Sequence, residues 1–234
     1  MITCIIPYFN EAQRVDRVIE SILHMDLIEE IILVDDGSTD GGYAGTAPHV
    51  HHYHLPLNQG KCEAMRFGLK KANGEIIVFL DADLIGLTSA HVESLVSPLL
   101  QKQSDLVVSR RELISYFDVV SGERAFYKSD WENFFLHSKH TGNAMEIAMN
   151  QSAIERNMRM HWVKWEGVSQ VYKSQKSSIA VGMWHDIKNV KDWINQLGYF
   201  RFGCFYLLSW MMVANKAPAL TARYHKLVNK MFHE

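Results

Sequence analysis

The chain has 234 residues, which fits one large domain or one domain with a short appendage. Its 47% hydrophobic and 21% charged residues are ordinary for a globular protein, and the net charge of −2 argues against general nucleic-acid binding, which usually needs a basic surface. Cys4, Cys62 and Cys204 are odd in number and widely spaced, so neither a disulfide framework nor a zinc site is expected. We therefore expect a protein of the reducing cytoplasm.

The N-terminal part of the chain alternates between apolar strands and amphipathic helices. Strands are predicted at residues 2–6, 30–34, 50–55, 75–80 and 105–109. Helices are predicted after Asn10, which we expect to be an N-cap, over residues 60–72 and around residues 92–100. Near-continuous apolar strands that alternate with such helices are typical of an α/β fold with a mostly parallel sheet covered by helices on both faces.

Beyond residue 110 the alternation is less regular. Ser129-x-x-Glu132 and Asn143-x-x-Glu146 have the pattern of capping boxes that open helices. Residues 158–166 alternate between apolar and polar side chains, as a half-buried strand does.

The C-terminal segment combines apolar and basic residues. Residues 202–215 carry no charge, but this stretch is shorter than the roughly 20 residues that a membrane-spanning helix needs. A basic amphipathic helix is predicted after Pro218, and residues 201–234 hold five Lys or Arg residues against one acidic residue. Such a helical extension suits the surface of an anionic membrane. A helix pair that packs on the domain or in a homodimer interface is the alternative.

Asp81 and Asp83 directly follow the strand predicted at residues 75–80. In extended backbone, residues i and i+2 point the same way, so both carboxylates can address one small volume at the C-terminal edge of the sheet, where open α/β sheets bind ligands. Two hard oxygen ligands that leave room for phosphate oxygens suit Mg²⁺ or Mn²⁺. A solvated turn is the alternative, because Asp is common in turns.

Three more polar clusters are predicted at the same edge. Asn10 and Glu11 follow the first strand, and Asp36 and Ser38 follow the second. Lys61 opens a helix whose positive end favours anions. Each cluster alone is compatible with an ordinary turn or cap. Together they supply a carboxylate for a base or ribose, a phosphate site and a metal site, which is what a nucleoside diphosphate needs.

Four motifs between residues 2 and 85 occur in a fixed order: Ile-Ile-Pro7-x-x-Asn10-Glu11, Val-Asp35-Asp36-Gly37-Ser38-Thr39-Asp40, Asn58-x-Gly60-Lys61 and Gly74-Glu-Ile-Ile-x-Phe-Leu-Asp81-Ala-Asp83. Their order and spacing resemble family 2 glycosyltransferases of the GT-A fold. The resemblance implies a GT-A domain, a UDP- or GDP-linked sugar donor and a divalent cation, Mg²⁺ or Mn²⁺.

The resemblance also implies roles for individual residues. The nucleotide pocket would be lined by Pro7, Asn10, Glu11 and Ser38. Asp36 would hold the base or ribose, and Lys61 would lie near the donor. Asp81 and Asp83 would bring the cation to the diphosphate, with Asp83 as the more direct ligand.

On the acceptor side, Ser121-Gly122-Glu-Arg124 resembles a segment of polyprenyl-phosphate and phosphoglycerate sugar transferases. The resemblance implies that Arg124 binds an acceptor phosphate or the departing diphosphate; a surface Arg in a turn is the alternative. Glu146 is the candidate base for the acceptor hydroxyl, unless it only completes a capping box. His185 is a candidate third metal ligand, or simply a neighbour of a helix cap at Asp186.

The sequence thus predicts a glycosyltransferase domain over residues 1–200, with a nucleotide-sugar half at 1–110 and an acceptor half at 111–200, and a helical extension at 201–234. It would transfer a sugar to an acceptor that is lipid-linked or phosphorylated, in the cytoplasm or at the cytoplasmic face of a membrane. The alternatives are a non-catalytic nucleotide-sugar-binding or membrane-scaffold module and a sugar nucleotidyltransferase. The latter needs a Gly-rich basic loop after the first strand, which Pro7–Glu11 does not provide.

Overall fold

A computed structural model of the chain describes residues 1–111, 121–138 and 144–170. In these ranges the elements in chain order are β1 (Ile2–Tyr8), α1 (Ala12–Ile22), β2 (Glu30–Asp35), β3 (Val50–His54), α2 (Lys61–Lys71), β4 (Ile76–Phe79), β5 (Leu84–Ile85), α3 (Ser89–Leu100), β6 (Leu106–Arg111), β7 (Arg124–Tyr127), α4 (Lys128–His137), α5 (Ala144–Glu155), β8 (Met160–Trp165) and β9 (Ser169–Gln170).

Seven of the strands form one mixed sheet in the order β3-β2-β1-β4-β7-β6-β8. The pairs β3–β2, β2–β1, β1–β4 and β6–β8 are parallel, whereas β7 is antiparallel to both of its neighbours. The short strands β5 and β9 form a separate antiparallel pair. The predicted mostly parallel α/β sheet is confirmed.

Helices cover both faces of this sheet. Successive side chains of a strand point to opposite faces, and in β1 Cys4 and Ile6 belong to one apolar cluster while Ile5 belongs to the other. The first cluster includes the buried faces of α1 and α3, and the second includes those of α2, α4 and α5. The prediction of helices on both faces is therefore confirmed.

Strand β1 continues beyond the predicted end at Ile6 and includes Pro7. Proline lacks an amide hydrogen and normally interrupts a central strand. Here the pairing of β1 with β4 ends at Ile5 and Phe79, whereas Pro7 still lies in register with Val34 of β2. The missing N–H therefore falls where the ladder towards β4 has already ended, so no sheet hydrogen bond is lost.

The predicted N-cap role of Asn10 is wrong. Helix α1 begins at Ala12, and the Ala12 amide donates to Oδ2 of Asp40 at 2.9 Å, 28 positions along the chain. Asn10 instead adopts a left-handed backbone with φ of 54°. Its Oδ1 accepts from the Thr39 amide at 2.9 Å, and its own amide donates to Oγ of Ser38 at 2.8 Å. Asn10 therefore joins the loops that follow β1 and β2.

The remaining helix starts are mixed in outcome. The box predicted at Ser129 is wrong, because α4 begins at Lys128 and already contains Ser129. The second predicted capping box, Asn143-x-x-Glu146, stays a prediction, because Asn143 lies outside the described residues, which resume at Ala144. The strand predicted at 158–166 is confirmed as β8.

The predictions for His185, for the extension at residues 201–234 and for the domain limits at residue 200 lie outside the described residues and stay predictions. Within the described ranges, every helix is too short or too polar to cross a membrane.

Candidate active site at the carboxyl edge of the parallel strands

The predicted polar residues meet where the strand order reverses between β1 and β4. Strand β1 lies between β2 on one side and β4 on the other. The loops after β1 and β4 therefore diverge and leave a crevice, which is the usual ligand position in open α/β sheets. Asp81 and Asp83 lie in the turn after β4, and Lys61 is the first residue of α2. Glu146 lies in the first turn of α5.

Lys61 connects two carboxylates in this crevice. Its Nζ lies 2.6 Å from Oδ1 of Asp81 and 2.7 Å from Oε1 of Glu146. Burial alone would lower the pKa of Lys61, but the Asp81 and Glu146 charges outweigh it and raise that pKa above the usual value. The ammonium therefore stays charged at neutral pH and holds α2, α5 and the turn after β4 together.

Glu146 is deeply buried, with 2% of its surface exposed. Whereas Oε1 pairs with Lys61, Oε2 is buried and has no hydrogen-bond partner among the described residues. A buried acceptor without a donor costs free energy. Among the described residues nothing donates to this atom, so it can accept a hydrogen bond or a proton from a bound hydroxyl group.

Asp81 is enclosed on several sides. Besides the contact of Oδ1 with Lys61, Oδ2 accepts from Nε2 of Gln170 at 2.7 Å. The backbone of Gly122 approaches the same carboxylate so closely that a Cβ at this position would lie 2.6 Å from Oδ1. Gly122 is therefore needed for this approach, and the orientation of Asp81 is defined by three separate segments of the chain.

The donor set at this turn fits a divalent cation. Asp81 and Asp83, both only partly buried, offer the hard carboxylate oxygens that Mg²⁺ and Mn²⁺ prefer. Among the residues that the structure describes, no group of three His, Cys, Asp or Glu side chains forms a metal cluster. Two protein carboxylates together with diphosphate oxygens match the way in which Mg²⁺ is usually bound beside phosphates.

Asp36 has a structural task at the start of α2. It is 3% exposed, and its two oxygens accept from the backbone amides of Gln59 at 2.9 Å and Gly60 at 2.7 Å. These bonds fix the loop that leads into Lys61. The structure thus gives Asp36 two backbone partners, and its predicted contact with a base or ribose stays a prediction.

The other residues predicted to bind the nucleotide lie in or beside the loops after β1 and β2. Ser38 receives the amide of Asn10 on its hydroxyl and donates its own amide to Oδ1 of Asp35 at 2.8 Å. Burial would raise the pKa of Asp35, but hydrogen bonds from Ser38 and His54 lower it below the usual value. Glu11 forms an ion pair with Arg14. Pro7 is the buried penultimate residue of β1, next to these loops.

Arg124 is not a surface residue, so the alternative of an exposed Arg in a turn is wrong. Its side chain is 0% exposed, and Nη1 donates to the carbonyl oxygen of Glu146 at 3.2 Å and to Oδ1 of Asn150 at 3.3 Å, while Nη2 donates to the carbonyl oxygen of Ser121. Burial lowers its pKa, which the nearby carboxylates partly offset. Arg124 thus ties α5 to the segment that carries Gly122. The predicted phosphate contact would require these bonds to open.

Two further polar residues at this site were missed by sequence reasoning. Glu123 is 0% exposed and accepts from Oγ of Ser109 at 2.8 Å, from Oγ of Ser121 and from Nε2 of Gln170 at 3.2 Å. Glu123 occupies the unspecified position of the Ser-Gly-x-Arg segment. In the sequence, the only indication of a role was a charged residue close to the apolar pair Ala125-Phe126. Gln170 had no signal, because its role depends on a pairing between β5 and β9.

Comparison with known proteins agrees with this geometry. The model of the family described as glycosyl transferase family 2 matches residues 3–165, more than half of the chain. Glucosyl-3-phosphoglycerate synthase from Mycobacterium tuberculosis is 34% identical over 133 residues, which cover 52% of this chain and 41% of that protein. Dodecaprenyl-phosphate galacturonate synthase from Rhizobium johnstonii is 33% identical over 122 residues, covering 47% and 36%.

Solved structures show the same fold. The crystal structure of glucosyl-3-phosphoglycerate synthase from Mycobacterium tuberculosis in complex with Mn²⁺, uridine diphosphate and glucosyl-3-phosphoglycerate superposes with a TM-score of 0.58 at 23% identity, over 73% of this chain and 72% of that chain. The alignment with the curated sequence of that enzyme reaches 41% of its length. With the family model covering most of the described residues, the chain belongs to glycosyl transferase family 2.

Proposed function

We propose that the chain is a metal-dependent glycosyltransferase that moves a sugar from a UDP- or GDP-linked donor to an acceptor hydroxyl. The observation that carries the proposal is the convergence of Lys61, Asp81 and Glu146 within hydrogen-bond distance at the carboxyl edge of the parallel strands. The similar mycobacterial structures, which contain Mn²⁺ or Mg²⁺ with uridine diphosphate or UDP-glucose, support this choice of donor and cation.

On the donor side, the nucleotide would lie against the loops after β1 and β2, beside Pro7, Asn10, Glu11, Asp36 and Ser38. The cation would be held by Asp83 and Asp81, with His185 as the predicted later ligand. When bound, a divalent cation acts as a Lewis acid that stabilises the negative charge on the leaving diphosphate.

On the acceptor side, Glu146 is the proposed base. Lys61 occupies Oε1, and the buried Oε2 is without a partner among the described residues, so we assign to Oε2 the proton of the acceptor hydroxyl. Arg124 keeps α5 in place through the Glu146 carbonyl and is the proposed contact for a phosphate only if its internal bonds rearrange.

The proposed acceptor is phosphorylated or lipid-linked. The two curated relatives are named for a phosphoglycerate product and for a dodecaprenyl-phosphate product, and both names contain a phosphate. The proposed location is the cytoplasm, with residues 201–234 in contact with the membrane face or in a homodimer. Co-sedimentation with anionic liposomes, with and without residues 201–234, separates these two possibilities, and equal partition of both forms excludes the membrane role.

The central experiment is a panel of UDP- and GDP-sugars with Mn²⁺ or Mg²⁺, in which released UDP or GDP is measured. We expect metal-dependent release by the parent protein and a loss of about a hundredfold or more in Asp83→Asn, because the cation that stabilises the leaving diphosphate would lose a charged oxygen ligand. Asp16→Asn, an exposed carboxylate on α1, is the matched control and keeps the parent rate.

The alternatives give different results in the same panel. A non-catalytic binding module binds nucleotide without turnover, and its Asp83→Asn variant binds as well as the parent. A sugar nucleotidyltransferase consumes a nucleoside triphosphate and a sugar phosphate instead. If no donor is hydrolysed or transferred with either cation, the glycosyltransferase proposal is wrong.

A further inference from the structure

Gln170 reaches the candidate active site through the small sheet of β5 and β9. The register places Leu84 opposite Gln170 and Ile85 opposite Ser169. Because Leu84 directly follows Asp83, this pairing attaches β9 to the same short segment that carries Asp81 and Asp83. The attachment fixes the backbone from which the Gln170 side chain extends to Asp81.

The side-chain amide of Gln170 bridges two carboxylates. Nε2 lies 2.7 Å from Oδ2 of Asp81 and 3.2 Å from Oε1 of Glu123. An amide nitrogen carries two hydrogens, so one Gln170 can donate to both carboxylates at once. The chemistry also defines which end of the amide faces them, because a carbonyl oxygen in this position would be repelled by both.

Glu123 is the fixed end of this bridge. It is buried directly before β7 and accepts from the hydroxyls of Ser109 and Ser121, which are themselves buried. With Glu123 held in this way, Gln170 has a defined position from which to orient Asp81. The opposite oxygen of Asp81 is held by Lys61, so the carboxylate is oriented from both sides.

We propose that Gln170 is a positioning residue for Asp81, with buried Glu123 as its anchor, and that this bridge sets the carboxylate orientation required for the divalent cation of the donor complex. The inference rests on the proposed function. Residues that hydrogen-bond to a metal ligand typically contribute about tenfold to a hundredfold to metal affinity, and the family resemblance gave no role to Gln170 or to Glu123.

The test is Mn²⁺ binding rather than turnover. Free Mn²⁺ is measured by electron paramagnetic resonance in titrations of the full chain with saturating UDP or GDP, whichever the parent binds more tightly. We expect Gln170→Leu to raise the Mn²⁺ Kd by about tenfold to a hundredfold. Its nucleotide affinity in EDTA should stay within about twofold of the parent, because without the cation the orientation of Asp81 matters little.

The control is Gln151→Leu, which removes an equal amide that bonds to Glu155 on α5, and it should bind Mn²⁺ like the parent. Glu123→Gln keeps the side-chain volume, removes the charged anchor and should also raise the Mn²⁺ Kd. If Gln170→Leu unfolds, Glu123→Gln and the shorter Gln170→Asn, which cannot span both carboxylates, provide the same measurement.

A double-variant cycle distinguishes the bridge from independent packing effects. If Glu123 acts through Gln170, Glu123→Gln should add little to the Mn²⁺ Kd of Gln170→Leu, because interacting residues are not additive. Unchanged Mn²⁺ binding in Gln170→Leu and Glu123→Gln, or fully additive effects in the double variant, overturns the inference while the proposed function stands. If the parent itself binds no Mn²⁺ with UDP or GDP, the proposed function fails and this inference fails with it.

Discussion

Nζ of Lys61 lies 2.6 Å from Oδ1 of Asp81, so the first residue of α2 is ion-paired to the turn that follows β4. The two elements are adjacent in space because α2 packs on β1, the neighbour of β4 in the sheet. A positive end of a helix and an ammonium group thus face the carboxylates of the crevice. The site holds a cationic side chain of its own beside the proposed position of the diphosphate.

Removal of the Lys61 ammonium should destabilise the fold. In Lys61→Met, Asp81 and the buried Glu146 lose their shared counter-charge. Removal of one partner of a buried ion pair costs about 3 kcal/mol, and the cost is smaller where water can solvate the remaining charge. Urea unfolding at pH 7 measures the loss of free energy of unfolding. Lys70→Met, an exposed lysine of the same helix, should unfold like the parent. A deficit of equal size in both variants would contradict the role of Lys61.

For Asp36, the structure predicts that loop order and nucleotide binding change together. Asp36→Asn places an NH₂ group against one of the two amide donors of Gln59 and Gly60, so the loop before α2 loses a hydrogen bond, at about 1–2 kcal/mol. Thermal unfolding without ligand should show a lower Tm, and UDP or GDP affinity should fall as well. An unchanged Tm with lost nucleotide affinity would instead indicate that Asp36 acts only as a direct ligand.

Arg124 should behave as a structural residue. Arg124→Met leaves the carbonyl oxygens of Glu146 and Ser121 without a guanidinium donor, and we expect a loss of about 3 kcal/mol in the free energy of unfolding. Arg159→Met, which breaks an exposed pair with Asp105, should unfold almost like the parent, because exposed ion pairs contribute little to stability. Reduced donor turnover at unchanged stability in Arg124→Met would favour the phosphate-binding role over the structural one.

Much of the fold was predictable because its signals are local. The apolar runs of β1, β2 and β4 and the helical periods of α1 and α3 each lie within one segment. The site residues Lys61, Asp81 and Asp83 were predictable for a related reason: they stand beside strand and helix ends, and parallel strands bring those ends to one edge.

The missed features depend on contacts between distant segments. Asp40 caps α1 from another loop, and Gln170 meets Asp81 across 89 positions. Strand β7 was not predicted, because its four residues include a charged Arg124 and are too few to show a period of two. Insertion between β4 and β6 buries Arg124, and neither the predicted phosphate contact nor the alternative of a surface arginine included this burial.

Acid sensitivity should arise partly from Glu30. Its oxygens accept from Oγ1 of Thr3 at 2.5 Å and from the amide and side chain of Asn73 at 2.9 and 2.7 Å. Burial would raise the pKa of Glu30, but these hydrogen bonds outweigh it and lower the pKa. A carboxyl group whose pKa is lower in the folded state stabilises the protein above its unfolded pKa of about 4.3. That contribution is lost as the pH falls through the lower folded value.

The comparison of Glu30→Gln with the parent checks this sign. In urea unfolding we expect the variant to be about 1–2 kcal/mol less stable at pH 7, with the difference narrowing as the pH falls below about 4.3 and the parent carboxyl group takes up its proton. Glu93→Gln, an exposed position on α3, should match the parent throughout. A gap between Glu30→Gln and the parent that widens towards pH 3 would contradict the assignment.

A side chain at position 122 should destabilise the fold as long as the Asp81 carboxylate is present. A Cβ at this position would lie 2.6 Å from Oδ1 and 2.7 Å from Oδ2 of Asp81, and Gly122 is not in the left-handed region, so alanine brings no backbone strain there. Gly122→Ala should therefore push the Asp81 carboxylate away from Lys61 and Gln170 and lower the free energy of unfolding by about 1–3 kcal/mol, as overpacking does.

In an Asp81→Ala background the opposing carboxylate atoms are gone, and Gly122→Ala should change the free energy of unfolding little. Urea unfolding of the parent, the two single variants and the double variant measures this coupling. Equal costs of Gly122→Ala with and without the Asp81 carboxylate would show that the glycine is required for some reason other than its approach to Asp81.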